Sequence, residues 1–223
     1  MKLILFGATG MIGQGALTEC LDDPDVETVL AVVRRPTGVS HARLRELILK
    51  DFTDYSEVEA ELTGYDGALF CLGVSASGLD EAQYTRITYD YTLAAARVLC
   101  RLNPEMRFIY VSGQGTDSTE KGRMMWARVK GRTENDLLKL PFKAYMFRPG
   151  YIQPVKGAVS STTLYRVVYS TFGVLYPVLR ALAPNAVTTS EICGRAMIQA
   201  VREDGPSRIV DVPEINRLGA VAP

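Results

Sequence analysis

Residues 2–13, Lys-Leu-Ile-Leu-Phe-Gly-Ala-Thr-Gly-Met-Ile-Gly, leave few folds open. The run Leu3, Ile4, Leu5, Phe6 is uniformly apolar and too short for a helix, which suits a strand buried on both faces of a parallel sheet. Gly7, Gly10 and Gly13 follow at three-residue spacing, and residues 11–21 behind them read as a helix. Strand, glycine turn and helix in that order bring backbone N–H groups and the positive end of a helix dipole to one point, where a pyrophosphate can sit. Gly7 allows the tight turn, Gly10 the close approach of phosphate and Gly13 the close packing of helix on strand. Thr9, Met11 and Ile12, between the glycines, belong to the same candidate cofactor-binding set. The spacing is G-x-x-G-x-x-G, not the G-x-G-x-x-G of many dinucleotide-binding turns. The competing reading is a βα turn that binds nothing, and three glycines directly after a strand argue against it.

The rest of the chain is read against that turn. At 223 residues it is long enough for one well-buried domain and short for two. Twenty-five basic residues balance 25 acidic ones, so no net field attracts nucleic acid or an anionic membrane. A small molecule is the partner this balance favours. Cys20, Cys71, Cys100 and Cys193 are scattered, with no C-x-x-C pair, and read as buried free thiols in a reducing compartment. His41 is the single histidine, so a histidine-based triad and a histidine-rich metal site are both excluded. The N-terminal apolar run lasts four residues before glycines intervene, so no export signal is read and a cytoplasmic location is expected by default.

Short apolar runs alternate with amphipathic ones along the chain. Strands are expected at 26–33, 44–49, 66–71, 107–111, 142–147 and 208–212, and helices at 58–62, 79–102, 124–140 and from 189 to about 201. That alternation implies an α/β fold: a Rossmann-type doubly wound parallel sheet with right-handed crossovers and helices on both faces. Residues 1–223 are expected to form one such domain, with 151–206 a mostly helical segment on the substrate side or covering the site. Within it, 164–182 is nearly all apolar, but its uncharged core falls short of the roughly 20 residues a membrane span needs. It is read as a helix bent near Gly173 and Pro177, with a membrane-associated or partner-binding surface as the alternative.

Ligands of such sheets lie beyond the carboxyl ends of the strands. After the second strand come Arg34, Arg35 and Pro36, where a site for NAD usually has an acidic residue for the ribose 2′-hydroxyl. Two guanidinium groups suit a 2′-phosphate instead, which favours NADP over NAD. Asp51, after the third strand, is expected to accept a hydrogen bond from the adenine amino group. Cys71, Leu72 and Gly73, after the fourth, are expected to pass close to the adenine ribose.

The order of Gly7-Ala8-Thr9-Gly10-Met11-Ile12-Gly13, Phe70-Cys71-Leu72-Gly73, Tyr110-Val111-Ser112, Val129-Lys130-Gly131 and Phe147-Arg148-Pro149-Gly150 resembles the atypical or extended short-chain dehydrogenases/reductases. The chain is most similar there to the epimerase/dehydratase-like group and to NAD(P)-binding proteins related to Tat-interacting proteins. The resemblance spans residues 1 to about 150 and implies hydride transfer supported by Ser, Tyr and Lys. It also implies that Pro149 and Gly150 flank the cofactor. The serine position falls on Ser112 or one residue later, on Gly113, and the lysine on Lys130. In the family that lysine holds the nicotinamide ribose and lowers the tyrosine pKa. The position four before Lys130, where the family has tyrosine, holds Trp126. An indole N–H donates a hydrogen bond but does not exchange its proton near neutral pH. Tyr151 is the replacement donor that position favours, with Tyr84, Tyr89 and Tyr91 as alternatives. The family's helical asparagine is missing, with Thr88 near its place.

Two functions follow. One is an NADP-dependent oxidoreductase or epimerase-like enzyme for a small carbonyl, alcohol or sugar-nucleotide substrate, acting as a monomer or homodimer. The other is a catalytically silent NADP(H)-binding sensor or interaction module.

Overall fold

The computed structural model describes residues 1–155, 183, 185–205 and 207–220. Seven parallel strands form the central sheet: β1 (Lys2–Phe6), β2 (Thr28–Val33), β3 (Leu44–Ile48), β4 (Gly67–Phe70), β5 (Arg107–Val111), β6 (Lys143–Arg148) and β9 (Ile209–Asp211). Their spatial order is β3-β2-β1-β4-β5-β6-β9. The chain winds outward from β1 in one direction through β2 and β3, then returns to the other side at β4. The crevice where the order reverses lies at the carboxyl ends of β1 and β4, which is where ligands of doubly wound sheets bind.

Alternation along the strands divides the interior into two cores. Leu3 and Leu5 face a layer containing Ala16, Leu17, Ala196 and Met197, from α1 (Met11–Asp22) and α5 (Ser190–Arg202). Ile4 and Phe6 face the opposite layer, with Phe52, Leu93, Ala96 and Leu99. Both faces are covered at the centre of the sheet, which is why β1, β2 and β4 read as apolar runs. Helices α1 and α5 are tied at their edge by ion pairs, Arg195 Nε with Glu19 Oε2 at 2.9 Å and Arg202 Nη2 with Asp23 Oδ1 at 2.5 Å.

The expected helix at 79–102 is one continuous helical stretch of three parts. These are α2 (Glu81–Thr85), a π-helical turn at Arg86–Asp90, and α3 (Tyr91–Leu102). Asp80 starts it: its carboxylate accepts from Gln83 N at 2.8 Å while Gln83 Oε1 accepts from Asp80 N at 3.3 Å, a reciprocal capping box. The 58–62 segment is a 3₁₀ helix at Ser56–Leu62. Helix α4 is Met125–Leu137, shorter than the expected 124–140, and Pro141 biases the residue before it away from helical backbone.

Three further elements lie outside the expected set. Tyr151–Gln153 (β7) and Val187–Thr189 (β8) pair in parallel as a separate two-stranded sheet, and Val212–Gly219 forms a terminal helix, α6. The apolar stretch 164–182 lies outside the described residues. Among the described residues no helix is long and apolar enough to cross a membrane.

Candidate functional site

Gly7 leaves β1 with φ +76°, a left-handed conformation that favours glycine. Its amide carbonyl accepts from Gly10 N at 2.9 Å, closing the turn. A Cβ on Gly13 would sit 2.0 Å from Gly7 O, so only glycine lets α1 start this close to the strand end. Gly10 is the N-cap, and no side chain caps the helix. The first intrahelical bond is Gln14 N to Gly10 O at 2.7 Å, which leaves the amides of Met11, Ile12 and Gly13 without an intrahelical acceptor. With no acidic residue in the first turn, this helix start is an anion cradle.

The cradle opens into a cavity of about 700 Å³ over the ends of β1 to β4. Gly7, Thr9 and Gly10 form one wall, Arg34 and Arg35 a second, and Cys71, Leu72 and Gly73 a third. Eight residues singled out from the sequence are thus brought to one space. Gly73 has no atom within 4 Å of where a Cβ would project, so its backbone is open to a ligand. Asp51 does not line the cavity. Its Oδ1 accepts from Thr53 N at 2.9 Å and Thr53 Oγ1 at 2.7 Å, and these bonds hold its carboxyl below the usual range. Lys50 and Phe52 line the cavity in its place, with Pro36 and Val74. The signal that could have found Lys50 is its place directly beyond β3, at the carboxyl edge of the sheet.

Ser112, Lys130, Pro149, Gly150 and Tyr151 form a second cluster beyond β5 and β6. Lys130, on α4, donates through Nζ to the carbonyl of Ser112. Burial pushes its ammonium down to about 8, partly countered by the Glu134 carboxylate one helical turn on. The hydroxyl of Ser112 donates to Phe147 O at 3.1 Å. Gln114 N donates to Pro149 O at 2.8 Å, and Tyr151 N to Ala186 O at 3.0 Å, so three loops are knitted side by side. The phenol of Tyr151 donates to Gln153 Oε1 at 2.8 Å.

Trp126 lies in the first turn of α4, its ring edge 3.3 Å from where a Gly115 Cβ would project. The other tyrosines have packing roles. Tyr84 is buried, Tyr89 donates to Asp136 Oδ2 at 2.6 Å beneath the Arg132 guanidinium, and the Tyr91 ring lies 5.8 Å from Phe52. Glu134, 1% exposed, holds Arg148 through Nε at 3.0 Å. Arg148 also donates to Ser118 Oγ at 2.6 Å.

The parallel sheet, the glycine turn and the cavity at the switch point define an NAD(P)-binding Rossmann domain. The model of the NAD(P)H-binding family matches residues 7–150, and the chain belongs to that family. Leucinostatins biosynthesis cluster protein T of Purpureocillium lilacinum is 28% identical to it, over 99% of this chain and 93% of that protein. Protein fmp52, mitochondrial, of Emericella nidulans is 27% identical over 89% of this chain and 86% of its own length.

The solved structures it resembles belong to the extended short-chain dehydrogenase/reductase, epimerase–dehydratase group. Bordetella bronchiseptica enzyme WbmF, in complex with NAD+, superposes with a TM-score of 0.68 at 14% identity, over 98% of this chain and 76% of that one. UDP-glucose 4-epimerase of Thermotoga maritima gives 0.62 at 13%, over 90% and 73%. One expectation is corrected by these relatives: FMP52 proteins of several fungi are named as mitochondrial, so the default cytoplasmic location does not stand.

Proposed function

We propose that the protein binds NADP(H) and acts as an oxidoreductase or epimerase-like enzyme on a small carbonyl, alcohol or sugar-nucleotide substrate. The observation that carries the reading is the cavity wall at Arg34 and Arg35, with no acidic side chain among the lining residues. A ribose 2′-hydroxyl needs an acceptor there, and a 2′-phosphate needs donors. The amides of Met11, Ile12 and Gly13 would hold the pyrophosphate, and Gly73 would admit the adenine ribose. When bound, the nicotinamide supplies a hydride donor or acceptor. Lys130 would orient the nicotinamide ribose, and Ser112 would position the substrate oxygen once its hydroxyl turns from Phe147. Tyr151 would exchange the proton, in place of the indole at Trp126. The protein would work on small molecules as a monomer or homodimer, without nucleic acid.

A panel of carbonyls and alcohols with NADPH or NADP+ tests this. Turnover that falls by roughly 10²-fold or more in Lys130→Ala supports the enzyme. Two features favour a second reading, a silent NADP(H)-binding module: the indole at position 126 and the hydroxyl of Ser112 held by a backbone carbonyl. Tight NADPH binding with no turnover across the panel would select it.

A further inference from the structure

Two turns meet at the outer wall of the cavity. Strands β2 and β3 run in register, with Val33 opposite Ile48, and Leu49 N donates to Val33 O at 2.9 Å. The residues that follow, Arg34-Arg35-Pro36 and Lys50, therefore emerge side by side at the sheet's carboxyl edge. All four line the cavity. None of the three cations has a hydrogen bond or ion pair among the described residues, whereas seven other arginines there are engaged in ion pairs. Neither nearby carboxylate forms an ion pair with them among the described residues; both accept from neutral threonine groups. Asp51 is turned to Thr53, and Glu46 Oε1 accepts from Thr37 N at 2.8 Å, which pins the arginine turn against β3 from behind. Three like charges on one cavity wall, none of them ion-paired among the described residues, favour a multiply charged anion there. A dianionic phosphate monoester fits this wall, whereas a neutral ribose edge finds three donors and no acceptor.

We propose that Lys50 is the third cation of a 2′-phosphate subsite, acting with Arg34 and Arg35 to set the preference for NADP(H) over NAD(H). The inference rests on the NADP(H) reading above. Lys50 reaches the wall because it follows β3 directly, in register with the arginine turn after β2. Pro36 and the Thr37–Glu46 bonds hold the arginine turn in place before ligand arrives, so little ordering of the backbone is needed on binding.

Isothermal titration of the full chain with NADPH, NADH, 2′,5′-ADP and 5′-AMP tests it, using wild type, Lys50→Ala, Lys50→Arg and Arg34→Ala. Lys50→Ala is expected to weaken NADPH and 2′,5′-ADP by roughly tenfold and to leave NADH and 5′-AMP within about twofold. Lys50→Arg should restore most of the loss. If wild type binds NADPH no more tightly than NADH, the NADP(H) reading itself fails and Lys50 falls with it. If wild type prefers NADPH and Arg34→Ala erodes that preference while Lys50→Ala does not, the reading stands and only the role of Lys50 is overturned. An equal loss for all four nucleotides in Lys50→Ala would also overturn it, because a general attraction does not select the 2′ position.

Discussion

Two residues decide what the second cluster can do, and they lie one helical turn apart. Lys130 is desolvated, and its ammonium is pushed from 10.5 down to about 8. In the unfolded chain the group regains its ordinary value, so between about pH 8 and 10.5 the unfolded state holds a proton that the folded state has released. Stability from this group therefore rises with pH across that window and levels above it. Urea unfolding of wild type and Lys130→Met along a pH series should show wild type gaining relative to the variant between those limits. A constant difference would mean that Lys130 is not desolvated. At Trp126 the test is a gain of function. A general acid contributes roughly 10²–10⁴-fold, so Trp126→Tyr should raise turnover by up to that factor if the rest of the cluster is competent. No gain in an active wild type would mean that Tyr151 already supplies the proton, and no gain in a silent one would point to Ser112, whose hydroxyl is committed to Phe147 O.

Between elements, the contact that matters most to the site joins the end of β6 to α4. Glu134 is 1% exposed and holds Arg148 in a forked pair, which locks the strand end carrying Pro149 and Gly150 to the helix carrying Lys130. Removing Glu134 leaves the half-buried Arg148 guanidinium without its carboxylate, so Glu134→Ala should cost roughly 1–3 kcal/mol in denaturant unfolding. The double variant Glu134→Leu/Arg148→Met should recover much of that, since no lone charge remains. A double variant as unstable as the single one would show that packing, not charge, dominates there.

This pair is also where reading the sequence stops. Strands β1, β2 and β4 to β6 are visible because they are largely buried and stand as short apolar runs, and the glycine turn because Gly13 has no room for a side chain; β3, half-exposed at the sheet edge, shows only its leucines and isoleucine. The pairing of Arg148 with Glu134 follows no sequence period, because it joins a strand end to a helix 14 positions earlier. Strands β7 and β8 have three residues each, too few for any alternation to show. The local turn in which Asp51 Oδ1 accepts from Thr53 N and Oγ1 follows from no strand or helix period, and neither does the place of Lys50 on the cavity wall.

At the scale of the whole molecule, the nucleotide cavity is built from the ends of four strands that lie far apart in sequence, β1 through β4. Each contributes a turn, and none of these turns forms the wall alone. A ligand bound there holds β3, the strand at one edge, to the centre of the sheet through β2 and β1. Binding to the folded state alone adds stability by mass action, about 2.7 kcal/mol at a free concentration one hundred times Kd. For a chain of this size that corresponds to a rise in Tm of about 5–10 °C. NADP+ should produce it in a thermal melt, and NAD+ at the same concentration should produce less, because the wall formed by Arg34, Arg35 and Lys50 has no acidic acceptor for a bare ribose. Replacing both arginines by alanine should bring the two nucleotides to nearly the same shift by lowering the NADP+ value, with the NAD+ value little changed. If both shifts fell together, the arginines would be supporting the sheet edge and not reading the phosphate. Unliganded Tm separates those outcomes, since it should move only when the edge itself is weakened.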